Sequence, residues 1–172
     1  DDRGSILPNL AESWEVSDDT LTYTFKLKSG ATFQDGSPVE AKDVVYSVNR
    51  LLTLNEGPAY LFEGVLGPNS VKAIDSSTVE FKLSKVYTPF LTNTPILFVI
   101  NSDVANANKT DSDPWAQDYI ANNSIGAGAY KLDSWDRGAT MTMKAYEGYH
   151  LGWSDQPVLE VRFIVTNEEA TV

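Results

Sequence analysis

Cysteine is absent from the 172 residues, which excludes a disulfide framework, a thiolate nucleophile and the common cysteine-bearing zinc sites. Histidine occurs once, at His150, so any histidine-based catalysis would have to be built on that single imidazole. Basic residues are also scarce: 13 lysines and arginines stand against 24 acids, for a net charge of −11. That balance repels a phosphate backbone and no basic stripe offsets it, so nucleic acid is not an expected partner. The longest uninterrupted apolar run is Ile96 to Ile100, far short of the roughly 20 residues that cross a bilayer. The opening DDRGSILPNL has neither the positive end nor the apolar centre of an export signal, so the compartment is not readable from composition.

What is present supports one folded domain spanning 1–172. Hydrophobic residues make up 42% and aromatics 11%, enough for a core and against disorder. Leu21, Tyr23, Phe25 and Leu27 alternate with Thr22, Thr24, Lys26 and Lys28, a strand with one apolar and one wet face. Around FQDGSP the period changes to that of a helix, predicted over 41–53, with Val44, Val48, Leu51 and Leu52 on one stripe. Two starts fit it: Ser37, Pro38 and Glu40 as one capping box, or Glu40 and Asp43 as another three residues later.

Three segments read as antiparallel hairpins. The first turns at Ser17, Asp18 and Asp19, the second at Asp75 to Ser77, and the third at Asp136, Arg137 and Gly138 between Tyr130–Trp135 and Met141–Tyr146. Further helices are expected over 58–65, 102–108 and 114–122, and a last strand over Leu159 to Val165. Hairpins mixed with helices, without regular βαβ alternation, indicate an α+β fold with a mixed, mostly antiparallel sheet.

Candidate chemistry is thin. His150 sits in an aromatic-rich loop with Ser154 nearby, but no G-x-S-x-G elbow supports a nucleophile, so a structural histidine is the expectation. Gly126, Ala127 and Gly128 lack the third glycine of a dinucleotide loop and precede a strand, which favours a tight backbone crossing. Asn106, Asn108, Thr110, Asp111 and Asp113 imitate a calcium loop's alternating oxygens without its central glycine or closing glutamate. No catalytic residue, metal site or cofactor is expected. The aromatics remain, since rigid rings give large contact area at small entropic cost.

PNLAESWEVSDD followed by LTYTFKLKSGATFQDGSPVEAKDVVYSVNRLL resembles the peptide, oligosaccharide and nickel-type solute-binding proteins of ABC importers, the extracellular solute-binding proteins of family 5. Three further blocks fall in that family's order: 87–104, then 125–135 with 143–149, and 161–172. Two motifs depart from its pattern, at Gly126-Ala127-Gly128-Ala129-Tyr130 and at Tyr149-His150-Leu151-Gly152-Trp153. The resemblance implies part of lobe one of a two-lobed, type II periplasmic-binding-protein-like fold, with the first strand and the second lobe absent. It also implies a monomer outside the cytoplasmic membrane, periplasmic or at the cell surface, lipid-anchored in some settings, that captures a peptide or other small solute for ABC permease subunits. Thr94, Leu97, Phe98 and Tyr60 are its candidate ligand contacts. The alternatives are a stand-alone extracellular interaction module or a hydrolase domain.

Overall fold

The period-two alternation of the first hairpin becomes the buried face of a sheet. In the computed structural model, which describes residues 5–166, β1 (Ala11–Val16) pairs with β2 (Thr22–Leu27), and β3 (Val71–Ala73) with β4 (Thr78–Lys82). The two hairpins join through antiparallel β2–β4 pairing, Tyr23 opposite Phe81 and Phe25 opposite Val79, giving the order β1-β2-β4-β3. Side-chain aspartates hold both turns: Asp19 accepts from the Leu21 N–H at 3.0 Å, and Asp75 accepts from the Ser77 N–H at 2.7 Å.

Tyr23, Phe25, Leu27, Val79 and Phe81 face inward and are buried, while Thr24, Lys26 and Glu80 occupy the other face. Helix α1 (Ala41–Leu54) lies across the apolar face with Val44 and Val48 buried and Leu51 and Leu52 half-buried. Each fully buried valine contributes about 1.5–3 kcal/mol of transfer free energy. Of the two candidate starts the structure takes the second: Glu40 is the extended N-cap, and its N–H donates to Asp43 Oδ2 at 2.9 Å. The helix ends at Asn55, whose left-handed φ of 51° lets its N–H return to the Leu51 carbonyl.

The predicted 58–65 helix is a 3-10 helix over Gly57–Phe62, with Pro58 in its first turn, where the missing N–H costs no helical bond. It delivers Phe62 to the core, where Phe90 of α2 (Phe90–Asn93) meets Tyr23, Phe81 and Phe62 at centroid distances of 4.6, 5.6 and 6.3 Å. A second 3-10 turn follows over Thr94–Ile96. α3 (Ser102–Ala107) fits the expected 102–108 closely. The expected 114–122 helix shrinks to α4 (Gln117–Ile120), because Ala116 before it adopts a left-handed φ of 51°.

The third hairpin, β5 (Tyr130–Asp136) and β6 (Thr140–Ala145), joins β7 (Glu160–Ile164) in a separate antiparallel sheet. The fold is thus α+β and antiparallel in both sheets. Cross-strand register puts Trp135, Met141 and Phe163 in one row and Leu132, Met143 and Val161 in the next, all on one face. That face carries the half-exposed rings of Trp135 and Phe163. The last block of the sequence continues to Val172, and residues 167–172 lie outside the described residues.

Polar pins tie the two sheets together. Gln34 donates from Nε2 to the carbonyls of Gly128 and Tyr130 at 3.1 and 2.8 Å, and its N–H reaches the Gly126 carbonyl at 3.1 Å. The Thr32 and Tyr146 hydroxyls meet at 2.7 Å. The expected crossing is therefore at Gly126–Gly128, bridged to Ile100 and Gln34. Close approach does not demand glycine there, because an added Cβ at either position meets its nearest atom only at 4.0 Å.

Candidate functional site

The apolar run of the sequence forms a strip whose first end is fixed by Thr94 and whose far end is fixed by the buried Asp43, Ser47, Asn101 and Ser102. Pro95 enforces the 3-10 turn before it, Thr94 Oγ1 donates to the Leu91 carbonyl at 2.7 Å, and the Leu97 N–H closes onto the Thr94 carbonyl at 2.9 Å. At the far end the Ile100 N–H donates to Ser47 Oγ at 3.0 Å, and Ser47 itself donates to the Asp43 carbonyl on α1. Asp43, only 1% exposed, accepts the Ser102 N–H at 3.0 Å and the Ser102 hydroxyl at 2.5 Å through Oδ1.

Asn101 completes the anchor. Its Oδ1 caps α3 by accepting from the Asp103 and Val104 N–H groups, and its Nδ2 donates to Asp35 Oδ2 and Ser37 Oγ at 3.0 and 2.9 Å. Hydrogen bonds from Ser37, and secondarily from Asn101, hold the Asp35 carboxyl below the usual aspartate range. The strip between these anchors is thereby tied to α1, with Phe98 facing outward while Leu97 and Val99 pack against the core.

Two cavities flank it. The first, about 490 Å³, opens between the strip, the core face of β2 and β4, and the loop at Tyr149 and His150. The second, about 420 Å³, lies between the strip, the C-terminal turns of α1 and the Gly57–Pro58 turn. Leu97, Phe98, Val99 and Ile100 line both, so the strip is the partition between them. Phe98 is 78% exposed, a large ring held over two apolar hollows. Such concave, mostly apolar surfaces with a few polar groups are where small ligands bind.

Of the four residues expected from the sequence, Thr94, Leu97 and Phe98 come together at the first cavity. Tyr60 does not join them. It stands 69% exposed on the 3-10 turn whose Gly57 and Pro58 line the second cavity, and its own ring lines neither. Sequence reasoning missed Trp14, Leu91 and Arg50 as cavity walls. Trp14 and Leu91 carry only a core signal in the pattern, and Arg50 reads as one more solvated position on α1.

His150 lines the first cavity at its loop side, with Nε2 2.8 Å from Asn9 Oδ1 and its ring set edge-on to Tyr149 at 4.8 Å. Burial, and then the Lys28 charge, push its pKa below the usual 6.5. Its partner is an amide and not a hydroxyl, which is a positioning contact and no nucleophile–base pair. Ser154 is exposed on the same loop. The calcium-like segment spends its oxygens locally: Asp113 accepts from the Gln117 and Asp118 N–H groups at 2.9 and 3.0 Å. Among the described residues no three acidic, cysteine or histidine side chains converge as metal ligands, and no helix is long and apolar enough to cross a membrane.

Comparison with known proteins returns a consistent set. The profile described as "Bacterial extracellular solute-binding proteins, family 5 Middle" matches residues 5–172. The "Probable D,D-dipeptide-binding periplasmic protein DdpA" of Escherichia coli K12 is 37% identical over 146 residues, covering 83% of this chain and 27% of that protein. The "Dipeptide-binding protein" of the same organism is 30% identical over 185 residues, covering 97% of this chain and 34% of its own length. Among solved structures, the ABC transporter substrate-binding protein CtaP of Listeria monocytogenes superposes with a TM-score of 0.78 at 32% identity, over 95% of this chain and 33% of that one. The chain thus spans about a third of the length of the relatives it matches.

Proposed function

The chain belongs to the bacterial extracellular solute-binding proteins of family 5, and from that premise we propose that it is part of one lobe of a binding protein that captures peptides or related small solutes outside the cytoplasmic membrane. The solute is then passed to an ABC permease, and no bond is made or broken. The observation that carries this reading is the anchored strip: Phe98 exposed and Leu97 half-exposed, between two apolar hollows, on a rigid base. Thr94, Leu97 and Phe98 form the wall that meets the solute, and Tyr60 stands near the rim of the second hollow. A cleft that closes by hinge motion over such a wall desolvates the solute and supplies the remaining contacts from the opposite side.

The partial-lobe reading has independent support in the second sheet. Its apolar face leaves Trp135 45% and Phe163 52% exposed, neighbouring rings of the kind that mark a contact surface. In the proposed protein, polypeptide outside this segment covers it. A one-sided wall pays the entropy of binding without the closing contacts, so the 172-residue chain alone binds weakly.

Isothermal titration tests both statements. The full-length protein is expected to bind a di- or tripeptide saturably with one site, and the 172-residue chain at least about a hundredfold more weakly, the worth of two hydrogen-bonded contacts or more. Tight binding by the chain alone would overturn the partial-lobe reading, and cleavage of the peptide would overturn the transport reading.

A further inference from the structure

Asp35-Gly36 is an aspartyl-glycyl linkage in the turn before α1, and both residues are exposed to water. With no Cβ on glycine to crowd it, the Gly36 nitrogen is the kind of backbone nitrogen that can reach the carboxyl of the residue before it. The turn cannot do without this glycine, because Gly36 has a φ of 88°, a conformation that other residues adopt only with strain. The residue that shapes the turn is therefore also the one that exposes its chemistry.

In the folded chain the reacting atoms are engaged elsewhere. The Gly36 N–H donates to the Phe33 carbonyl at 2.9 Å, and the Phe33 N–H donates to the Ser37 carbonyl at 2.8 Å. Asp35 Oδ1 accepts from the Ser37 N–H at 2.9 Å and the Ser37 hydroxyl at 2.6 Å, and Oδ2 accepts from Asn101 Nδ2 at 3.0 Å. The carboxylate is thus held on Ser37 and Asn101, beyond the nitrogen it would have to meet. The same bonds, Ser37 foremost, favour the ionised carboxyl, which is a poor electrophile.

We propose that Asp35-Gly36 is a site of spontaneous isoaspartate formation that the native turn suppresses, so that conversion follows opening of this turn. Once the turn opens, the Gly36 nitrogen gives its proton to solvent and attacks Cγ of Asp35. The N–Cγ bond forms, a Cγ–O bond breaks, and the oxygen leaves as water. One water then opens the five-membered succinimide. Addition at Cγ restores aspartate, whereas addition at the Asp35 main-chain carbonyl breaks its bond to the Gly36 nitrogen and leaves the main chain running through Cβ and Cγ. Nothing is oxidised or reduced, and the water released is regained. The isoaspartate carboxylate sits on Cα, displaced from the place where Ser37 and Asn101 meet it, so the contact that supports the cap of α3 is lost.

The test incubates the full-length protein in heavy-oxygen water at neutral pH, folded and unfolded in urea. Each passage through the ring adds a heavy oxygen at residue 35, and fragmentation across its Cα–Cβ bond separates isoaspartate from aspartate. The unfolded protein is expected to accumulate isoaspartate there, and the folded protein at least about tenfold more slowly, its rate scaled by the fraction of time the turn is open. Ser37→Ala, with its melting curve showing it folded, should bring the folded rate closer to the unfolded rate of the same variant, a ratio that cancels any change in intrinsic reactivity. Absence of isoaspartate at residue 35 in the unfolded protein overturns the site. Equal folded and unfolded rates in the wild type, or a Ser37→Ala ratio no different from that of the wild type, overturn the suppression by the turn.

Discussion

Replacing Asp43 by alanine removes the acceptor that joins α1 to the base of the strip. The carboxylate is 1% exposed and receives the Glu40 N–H at 2.9 Å, the Ser102 N–H at 3.0 Å and the Ser102 hydroxyl at 2.5 Å. The hydroxyl can rotate to another acceptor, but the two backbone donors cannot. Each buried donor left unpaired costs about 1–3 kcal/mol, partly offset because a buried charge no longer has to be desolvated. The net expectation is a loss of about 3 kcal/mol, which for a chain of this size lowers Tm by roughly 6–12 °C. Asp43→Asn keeps one acceptor oxygen and should lose about half as much. Urea unfolding gives the energies, and amide hydrogen exchange gives the location: Ser102 should lose protection while Val79 in β4 keeps it relative to global unfolding. An alanine variant within about 0.5 kcal/mol of the wild type would refute the claim that this carboxylate anchors the strip.

Phe90→Ala empties a site enclosed by Tyr23, Phe62 and Phe81 and should cost about 3–5 kcal/mol, seen as a lower urea midpoint at unchanged slope. Asp75 is held at a pKa of about 2 by the Ser77 N–H first, then by the Thr78 and Ser77 hydroxyls. Its folded value lies below the ordinary 3.8, so its contribution is complete above pH 3.8 and is lost as pH falls towards about 2. Carboxyl titration by NMR should show that low midpoint, and Asp75→Asn should flatten the stability profile in that window. His150 follows the same sign: burial favours its neutral form, so stability is full above pH 6.5 and declines as pH drops through its lowered pKa. His150→Gln should remove that decline in thermal melts between pH 7 and 5.

Local chemistry was legible where one residue type decides the geometry. The aspartate turns at Asp19 and Asp75, the glycine turn at Gly138 with φ of 80°, and the stripe of Val44 and Val48 are found where periodicity and turn chemistry put them. Pairing between β2 and β4 was not legible, because residues 28–77 intervene and period two fixes a strand's faces but not its neighbour. The strip itself announced its position as the longest apolar run, yet an apolar run reads equally as core. Its exposure follows from Pro95 and from the Ser47, Asp43 and Asn101 anchors, which fix where the chain crosses α1. Arg50 illustrates the remaining gap: its hydrogen bond to the Trp115 carbonyl joins residues far apart in the chain, and spacing along α1 carries no such information.

Photo-crosslinking from position 98 tests the strip as the ligand-facing wall most directly. With a photoreactive phenylalanine analogue at Phe98 in the full-length protein, a bound labelled peptide should be captured covalently, and an excess of unlabelled peptide should abolish the adduct. Saturable peptide binding with no adduct from position 98, and with unchanged affinity in Phe98→Ala, would contradict the account.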